Sequence, residues 1–204
     1  MFKKPVIVFE GIEGSGKTSH INYISKYLKK NNINHIKIRE PGGFVNSEVI
    51  RKLILNNKSN FNNNTDLLLY LASRSENIEQ LRKYYKKKII LIDRFVDSTI
   101  AYQHYGFKID LALINAINKH LLKNFKISFT FLNIVNKKNM KKRLNLRKKL
   151  NRYDRFNFSF YQKVQKGFIK ISNKDKKKYK IIDSNKKIQD NRKIIIDKIN
   201  ELIK

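Results

Sequence analysis

The feature of this sequence that most limits its fold is a glycine-rich segment near its start. The segment reads Gly11-Ile12-Glu13-Gly14-Ser15-Gly16-Lys17-Thr18. It fits the pattern G-x-x-x-x-G-K-[ST] at every fixed position, after a strand-like apolar run and before a helix-like one. Glycines at these positions let backbone N–H groups wrap a polyphosphate, and the helix N-terminus adds a favourable dipole. The segment therefore predicts a nucleotide-binding loop in which Lys17 reaches the β- and γ-phosphates and the Thr18 hydroxyl binds Mg²⁺.

Strand-like and helix-like segments alternate through the rest of the chain. Predicted strands cover residues 5–9, 35–39, 88–92, 127–132 and 179–182, and predicted helices cover residues 17–30, 45–55, 65–84, 95–105, 110–123, 137–150, 158–172 and 188–203. Thr65 and Asp66 are the expected N-terminal cap of the third helix. This alternation predicts an α/β fold of the P-loop NTPase type, a three-layer sandwich with a five-stranded parallel sheet between helices. With 204 residues and no evident linker, the chain is expected to form one domain over residues 1–204.

Composition narrows the function classes. The chain has 46 Lys plus Arg against 16 Asp plus Glu, a formal net charge of +30, and no cysteine. Such a charge suits a nucleic-acid partner, but the basic residues are spread along a chain rich in Lys, Asn and Ile, so no specific nucleic-acid partner is predicted. Thiol chemistry and disulfides are excluded. No apolar run is long enough for a membrane span, and the run after the basic start ends at Glu10, too early for a signal peptide, which favours a cytoplasmic protein without a membrane partner.

Charged side chains follow two more of the predicted strands. Arg94 stands directly after the third strand, where a forked guanidinium suits a bidentate grip on a phosphate. Asp93, just before it, either orders Mg²⁺ through water or caps the next turn. Arg39 ends the second strand, before a Pro-Gly-Gly turn, and marks either a ligand site or a plain turn that holds an ion pair.

Tyr70 and Arg74 are four residues apart on the third predicted helix, so they share a face. An aromatic ring with a forked donor can stack on a base and hydrogen-bond to its edge. The same spacing also suits one core residue beside one surface residue.

Together these motifs resemble the thymidylate kinase family, whose members phosphorylate dTMP to dTDP with ATP. The matching segments are FEGIEGSGKT at residues 9–18, REPGG at 39–43, ASR at 72–74, DRF with ST and AYQ within 93–103, and LNRYD at 150–154. They occur in the order and near the spacing of the family. REPGG after the second strand, combined with the DRF–ST–AYQ segment after the third, separates this family from adenylate and guanylate kinases.

The resemblance implies a role for each matching position. The implied ATP site consists of Gly11, Ile12, Glu13, Gly14, Ser15, Gly16, Lys17, Thr18 and Arg143, and the implied dTMP site consists of Glu13, Arg39, Tyr70, Arg74, Arg94, Ser98, Thr99, Tyr102 and Gln103. Mg²⁺ would be held by Thr18 and Asp93, partly through water. Tyr70 would stack on thymine, Arg94 would grip the dTMP phosphate, and Tyr102 would close against C2′ and so favour deoxyribose.

The family's lid, here about residues 143–157, is the segment in which this sequence departs from the pattern. The family often has Arg-Gly-x-x-Asp-Arg-x-Glu, and this chain has Arg147-Lys148-Lys149-Leu150-Asn151-Arg152-Tyr153-Asp154. The variable positions of the phosphate loop carry no basic residue. The resemblance therefore implies that the lid supplies a catalytic arginine, Arg147 or Arg152, to act with Lys17 and Arg94.

The implied reaction is in-line transfer of the γ-phosphoryl group of ATP to a dTMP phosphate oxygen, with Mg²⁺ as cofactor. Two alternatives stay open: a related P-loop kinase that acts on a deoxynucleoside or another nucleoside monophosphate, and a basic nucleic-acid-binding ATPase. The resemblance also implies a homodimer formed through helices beside the sheet. The apolar residues 67–71 could serve that interface or the core.

Overall fold

One parallel sheet organises the part of the chain described by the computed structural model, residues 4–204; residues 1–3 of the basic start lie outside the described residues. Its strands are β1 (Val6–Glu10), β2 (His35–Arg39), β3 (Ile89–Asp93), β4 (Phe129–Ile134) and β5 (Tyr179–Asp183). They lie in the order β2-β3-β1-β4-β5, and every neighbouring pair is parallel. The predicted five-stranded parallel sheet is confirmed.

Helices connect the strands, as the alternation predicted. They are α1 (Lys17–Lys30), α2 (Val45–Leu55), α3 (Asn63–Arg82), α4 (Val96–Thr99), α5 (Leu111–Leu122), α6 (Lys137–Asn145), α7 (Phe158–Asn173) and α8 (Ile188–Ile203). A π-helical segment, Ile100–Gly106, continues α4, and 3₁₀ turns occupy Arg152–Arg155 and Lys176–Lys178. No helix within residues 4–204 is long and apolar enough to cross a membrane.

Strand β1 is buried on both faces, which explains its continuous apolar sequence. Ile7 and Phe9 point to one side, into a cluster that contains residues of α1 and α8. Val6 and Val8 point to the other side, where residues of α3 pack. The sheet therefore has an apolar core on each face, which leaves the carboxyl ends of its strands as the expected place for a ligand site.

Gly11 shows why the loop after β1 needs glycine. Its φ is +137°, and a Cβ atom built there would lie 2.2 Å from the carbonyl oxygen of Asn133 in β4. Any side chain would collide with the neighbouring strand, so the close passage of the loop over the sheet depends on this residue.

The predicted start of α3 and the predicted end of α6 were wrong. The side-chain oxygen of Asn62 accepts the N–H of Thr65 at 2.9 Å, so α3 begins at Asn63 and not at the predicted Thr65-Asp66 cap. The basic helix α6, predicted to reach residue 150, ends at Asn145. Beyond it, the Arg147 guanidinium bonds the carboxylate of Asp154, which folds the lid into a compact turn.

The apolar stretch of residues 67–71 serves mainly the core. Leu67 and Leu71 are buried in a cluster with Ile109 and Ile114. Leu68, between them, is 59% exposed. The sequence left open whether this stretch serves the core or an interface, and burial decides in favour of the core for most of it.

Candidate active site

The phosphate loop, between β1 and α1, is closed around the ammonium group of Lys17. That group donates hydrogen bonds to the carbonyl oxygens of Gly11 at 2.8 Å and Ile12 at 2.9 Å, and to the hydroxyl of Ser15 at 3.3 Å. Burial lowers the pKa of Lys17 to about 7, and the neighbouring Arg94 guanidinium adds to that effect. An anion bound at the loop would favour the charged form of this lysine.

Thr18 and Asp93 meet beside the loop. The Thr18 hydroxyl, at the start of α1, donates to Oδ2 of Asp93, at the end of β3, at 2.9 Å. Hydroxyl and carboxylate oxygens suit Mg²⁺, which commonly takes one or two protein oxygens and fills its remaining positions with water and phosphate. Within residues 4–204 no three His, Cys, Asp or Glu side chains form a metal cage. One hydroxyl and one carboxylate fit an ion whose remaining positions are taken by water and by a bound nucleotide.

Arg94 stands at the centre of a charged cluster. Its guanidinium donates to Oε1 of Glu13 at 2.6 Å, to the carbonyl oxygen of Gly11 at 2.9 Å and to the Ser98 hydroxyl at 3.3 Å. It also lies 5.3 Å from the ring centre of Tyr102. The Tyr102 hydroxyl donates to the other oxygen of Glu13. One carboxylate thus orients both the arginine and the tyrosine.

Glu10, the last residue of β1, holds the turn that carries Arg94. Its buried carboxylate accepts the N–H of Phe95 at 2.8 Å, the N–H of Ser98 at 3.2 Å and the Ser98 hydroxyl at 2.5 Å. Burial raises the pKa of Glu10 to about 7, and the nearby Asp97 contributes. These bonds support a backbone in which Arg94 has a φ of +68°, which is uncommon for a side-chain-bearing residue. Glu10 was not among the predicted site residues, although a carboxylate that ends an apolar strand was a usable signal.

The opposite end of the site is built on Arg74, which is buried. Its guanidinium donates to Glu40 at 2.9 Å, to Asn118 at 2.8 Å and to Thr99 at 2.9 Å. Beside it, the side-chain nitrogen of Gln103 is buried and has no hydrogen-bond partner among the described residues. Gln103 is therefore an available donor at this end.

Two further arginines flank the turn after β2. Arg39 is half-exposed and pairs with Glu48 of α2 at 3.0 Å, so the ion-pair interpretation of this turn is met. Arg51, also on α2, donates to the carbonyl oxygen of Pro41 at 2.5 Å. Arg51 was not predicted as a site residue, although arginine is scarce in this lysine-rich chain and Arg51 follows the REPGG turn within the next predicted helix.

A single cleft at the carboxyl ends of the strands collects most of the predicted residues. Those in its wall are Glu13, Lys17, Thr18, Arg39, Tyr70, Arg74, Asp93, Arg94, Ser98, Thr99, Tyr102, Gln103 and Arg147. The wall also includes residues that were not predicted as site residues: Glu40, Pro41, Arg51, Leu55, Phe95, Asn151, Tyr153 and Asp154.

Two predicted arginines do not line this cleft. Arg143 lies against the phosphate loop, where its guanidinium donates to the carbonyl oxygens of Gly14 at 2.9 Å and Ser184 at 2.6 Å. Arg152 is not among the residues of the cleft wall and binds Asp66 of α3 at 2.5 Å. Of the two lid candidates, only Arg147 faces the cleft.

Comparison with known proteins agrees with this geometry. The family model for thymidylate kinase matches residues 9–195. The thymidylate kinase of Sulfurihydrogenibium sp. (strain YO3AOP1) is 36% identical over 198 residues, which cover 96% of each chain. That of Clostridium novyi (strain NT) is 37% identical over 194 residues, 92% of this chain and 94% of the relative. The crystal structure of thymidylate kinase from Ehrlichia chaffeensis superimposes with a TM-score of 0.79 at 30% identity, covering 97% of this chain and 98% of the other. With the phosphate loop, the charged cleft and these relatives in agreement, this chain belongs to the thymidylate kinase family.

Proposed function

We propose that this protein transfers the γ-phosphoryl group of ATP to dTMP and forms dTDP, a step in dTTP synthesis. One observation carries the proposal: Lys17 of the phosphate loop and Arg94 of the cleft both donate to the carbonyl oxygen of Gly11, at 2.8 and 2.9 Å. A cation of the donor site and a cation of the acceptor site are therefore neighbours, as transfer between two phosphates requires. Both substrates are intracellular nucleotides, so we also propose a cytoplasmic location.

The chain's own residues supply position and charge. A phosphate acceptor is already an anion at neutral pH, so no strong general base is needed. Lys17 and Arg94 would bring the two phosphates into line and compensate their repulsion, and Arg147 is the lid arginine that we assign to the transferred group. Arg143, which donates to the carbonyl oxygen of Gly14 in the loop, is assigned to ATP.

The acceptor end supports a deoxynucleotide with a planar base. Tyr102 is fixed by its bond to Glu13, which leaves little freedom for its ring beside the sugar position. Tyr70 presents an aromatic face, and the unpartnered nitrogen of Gln103 can donate to a carbonyl of the base. We propose Arg74 and Thr99 as the polar floor beneath the base.

Mg²⁺ would be held by the Thr18 hydroxyl and the Asp93 carboxylate, partly through water. When bound, it supplies neutralisation of phosphate charge. The hydrogen bond between Thr18 and Asp93 keeps both oxygens on the donor side of the cleft.

Acceptor specificity tests the proposal. ATP consumption would be measured with dTMP, its ribose analogue, dUMP, thymidine, AMP or single-stranded DNA. We expect dTMP to give the highest kcat/KM and the ribose analogue to be at least about 10-fold poorer because Tyr102 crowds C2′. A preference for thymidine or AMP would favour a kinase with another acceptor. Stimulation only by DNA, with a steep salt dependence, would favour the nucleic-acid-binding ATPase.

We further propose a homodimer formed through α2 and α3, which pack side by side. Val45, Val49 and Leu53 lie at four-residue intervals on α2 and are 82%, 57% and 48% exposed, and Leu68 of α3 is exposed as well. Such a stripe is a typical interface on an otherwise charged surface.

Val49→Glu is therefore expected to convert the protein from a dimer to a 24.3 kDa monomer in light scattering after gel filtration. The charge would be buried in the interface of the dimer. Ile194→Glu, a partly exposed position of α8 on the other face of the sheet, is the matched control and should leave the dimer intact. A monomeric wild-type protein, or a dimer in both variants, would refute this interface.

A further inference from the structure

We infer that Asp66 of α3 is the docking residue of the lid, residues 143–157, and that its contacts with Arg152 and Tyr153 couple lid closure to occupation of the acceptor cleft. The inference rests on the proposed function, because it takes dTMP as the occupant. It assigns Arg152 a positioning role and leaves Arg147 as the lid arginine that meets phosphate.

Asp66 uses both carboxylate oxygens on consecutive lid residues. Oδ1 accepts from the Arg152 guanidinium at 2.5 Å, and Oδ2 accepts from the Tyr153 hydroxyl at 3.2 Å. The side chains of Asp66 and Arg152 are only 6% and 17% exposed. The Arg152 guanidinium is further covered by the rings of Phe61 and Tyr153. Removal of one partner from a pair shielded in this way costs more than the loss of an exposed surface salt bridge, because it leaves a buried charge without compensation.

The docked residue Tyr153 is also part of the acceptor cleft. Its ring packs edge-on against Tyr70, with ring centres 5.8 Å apart, and lies 6.1 Å from the ring centre of Tyr102. Tyr70 follows Asp66 by one turn of α3, so one helix carries both the docking carboxylate and the aromatic ring of the base end. A nucleotide that fills the cleft therefore contacts Tyr153 when the lid is docked on Asp66 and loses that contact when the lid is undocked. This difference in affinity shifts the equilibrium between the two lid positions toward the docked one.

Docking also positions Arg147, through the compact lid turn. Asp154 binds the Arg147 guanidinium with one oxygen, and its other oxygen accepts the N–H of Asn151 at 3.0 Å. These bonds make the turn one unit, so the contact of Arg152 with Asp66 determines where Arg147 stands over the cleft. The lid can thus present its arginine when the acceptor is in place.

A charge exchange tests the docking pair. Asp66→Lys and Arg152→Glu should each lower kcat about 10-fold or more, and the double variant should recover to within about 3-fold of wild type. Arg155→Glu, an exposed position in the same 3₁₀ turn, is the matched control and should stay within about 2-fold of wild type. Losses in Arg155→Glu as large as in Arg152→Glu, or no recovery in a folded double variant, would overturn the pairing.

Limited trypsin digestion of the intact protein tests the coupling without relying on activity. Lys148 and Lys149 of the lid are exposed, and cleavage there can be followed by mass spectrometry. We expect dTMP alone to slow this cleavage about 5-fold or more in wild type and to give little protection in Asp66→Asn, a near-isosteric variant that keeps the shape of the site. Calorimetry would establish that both proteins bind dTMP.

The outcomes separate the two proposals. A folded wild-type protein that does not bind dTMP would overturn the proposed function. A wild-type protein that binds dTMP without protection of Lys148 and Lys149, or equal protection in Asp66→Asn, would overturn the coupling and leave the proposed function standing.

Discussion

Arg94→Ala is expected to lower kcat/KM for dTMP about 10³-fold, a loss of about 4 kcal/mol of transition-state stabilisation. The arginine is the cation that faces the proposed acceptor phosphate. Its removal also leaves the mostly buried carboxylate of Glu13 without its ionic partner. The KM for ATP should change much less, because the phosphate loop keeps Lys17. Initial rates at varied dTMP and ATP would separate the two effects, and circular dichroism would establish the fold.

Arg94→Lys is the matched variant for the same position. It keeps the charge but loses the forked geometry that reaches Glu13, Gly11 and Ser98 together, so an intermediate loss of about 10²-fold is expected. Near-normal activity of a folded Arg94→Ala protein on dTMP would show that the acceptor assignment is wrong.

Lys17→Ala is expected to lower kcat by about 10³-fold at saturating substrates. The ammonium group lies in the phosphate loop, where it can stabilise the negative charge that develops on the transferred group. Preorganised interactions of this kind stabilise mainly the transition state, so their loss lowers kcat. Burial of this group, which lowers its pKa to about 7, shows that it is not a solvated surface lysine. Single-turnover rates with bound ATP and dTMP would measure the loss at the chemical step.

Lys29→Ala provides the control for lysine removal, since Lys29 is exposed in the last turn of the same helix α1. It should retain full activity. A Lys17→Ala protein that keeps more than a tenth of wild-type kcat would contradict the role assigned to the phosphate loop.

The fold was predictable because its signals are local. The apolar run of β1, the glycines of the loop and the helical spacing after Lys17 lie within one short stretch, and the same alternation repeats along the chain. The helix ends were less predictable because they depend on partners outside the helix. Asn62 captures the N–H of Thr65 before the predicted cap can act, and Arg147 leaves the helical path to meet Asp154.

The residues of the candidate site likewise fall into those that the sequence predicts and those that depend on the folded structure. Lys17, Thr18 and Arg94 follow strand ends, so the sheet brings them together once its topology is known. Arg147 and Arg152 look equivalent in sequence, and only the turn between them directs one into the cleft and the other to Asp66. Glu10 and Arg51 carried only general signals, a carboxylate that ends an apolar strand and an arginine after the REPGG turn. Their partners, the N–H of Phe95 and the carbonyl oxygen of Pro41, became known only from the fold.

Transfer of the γ-phosphoryl group of ATP to dTMP can be followed with ATP that carries ³²P in its γ-phosphate, by identifying the labelled products. We expect purified protein with Mg²⁺ and dTMP to transfer the label into dTDP, with one dTDP formed for each ADP. Label that appears as inorganic phosphate at the same rate with and without dTMP, and no labelled dTDP, would contradict it.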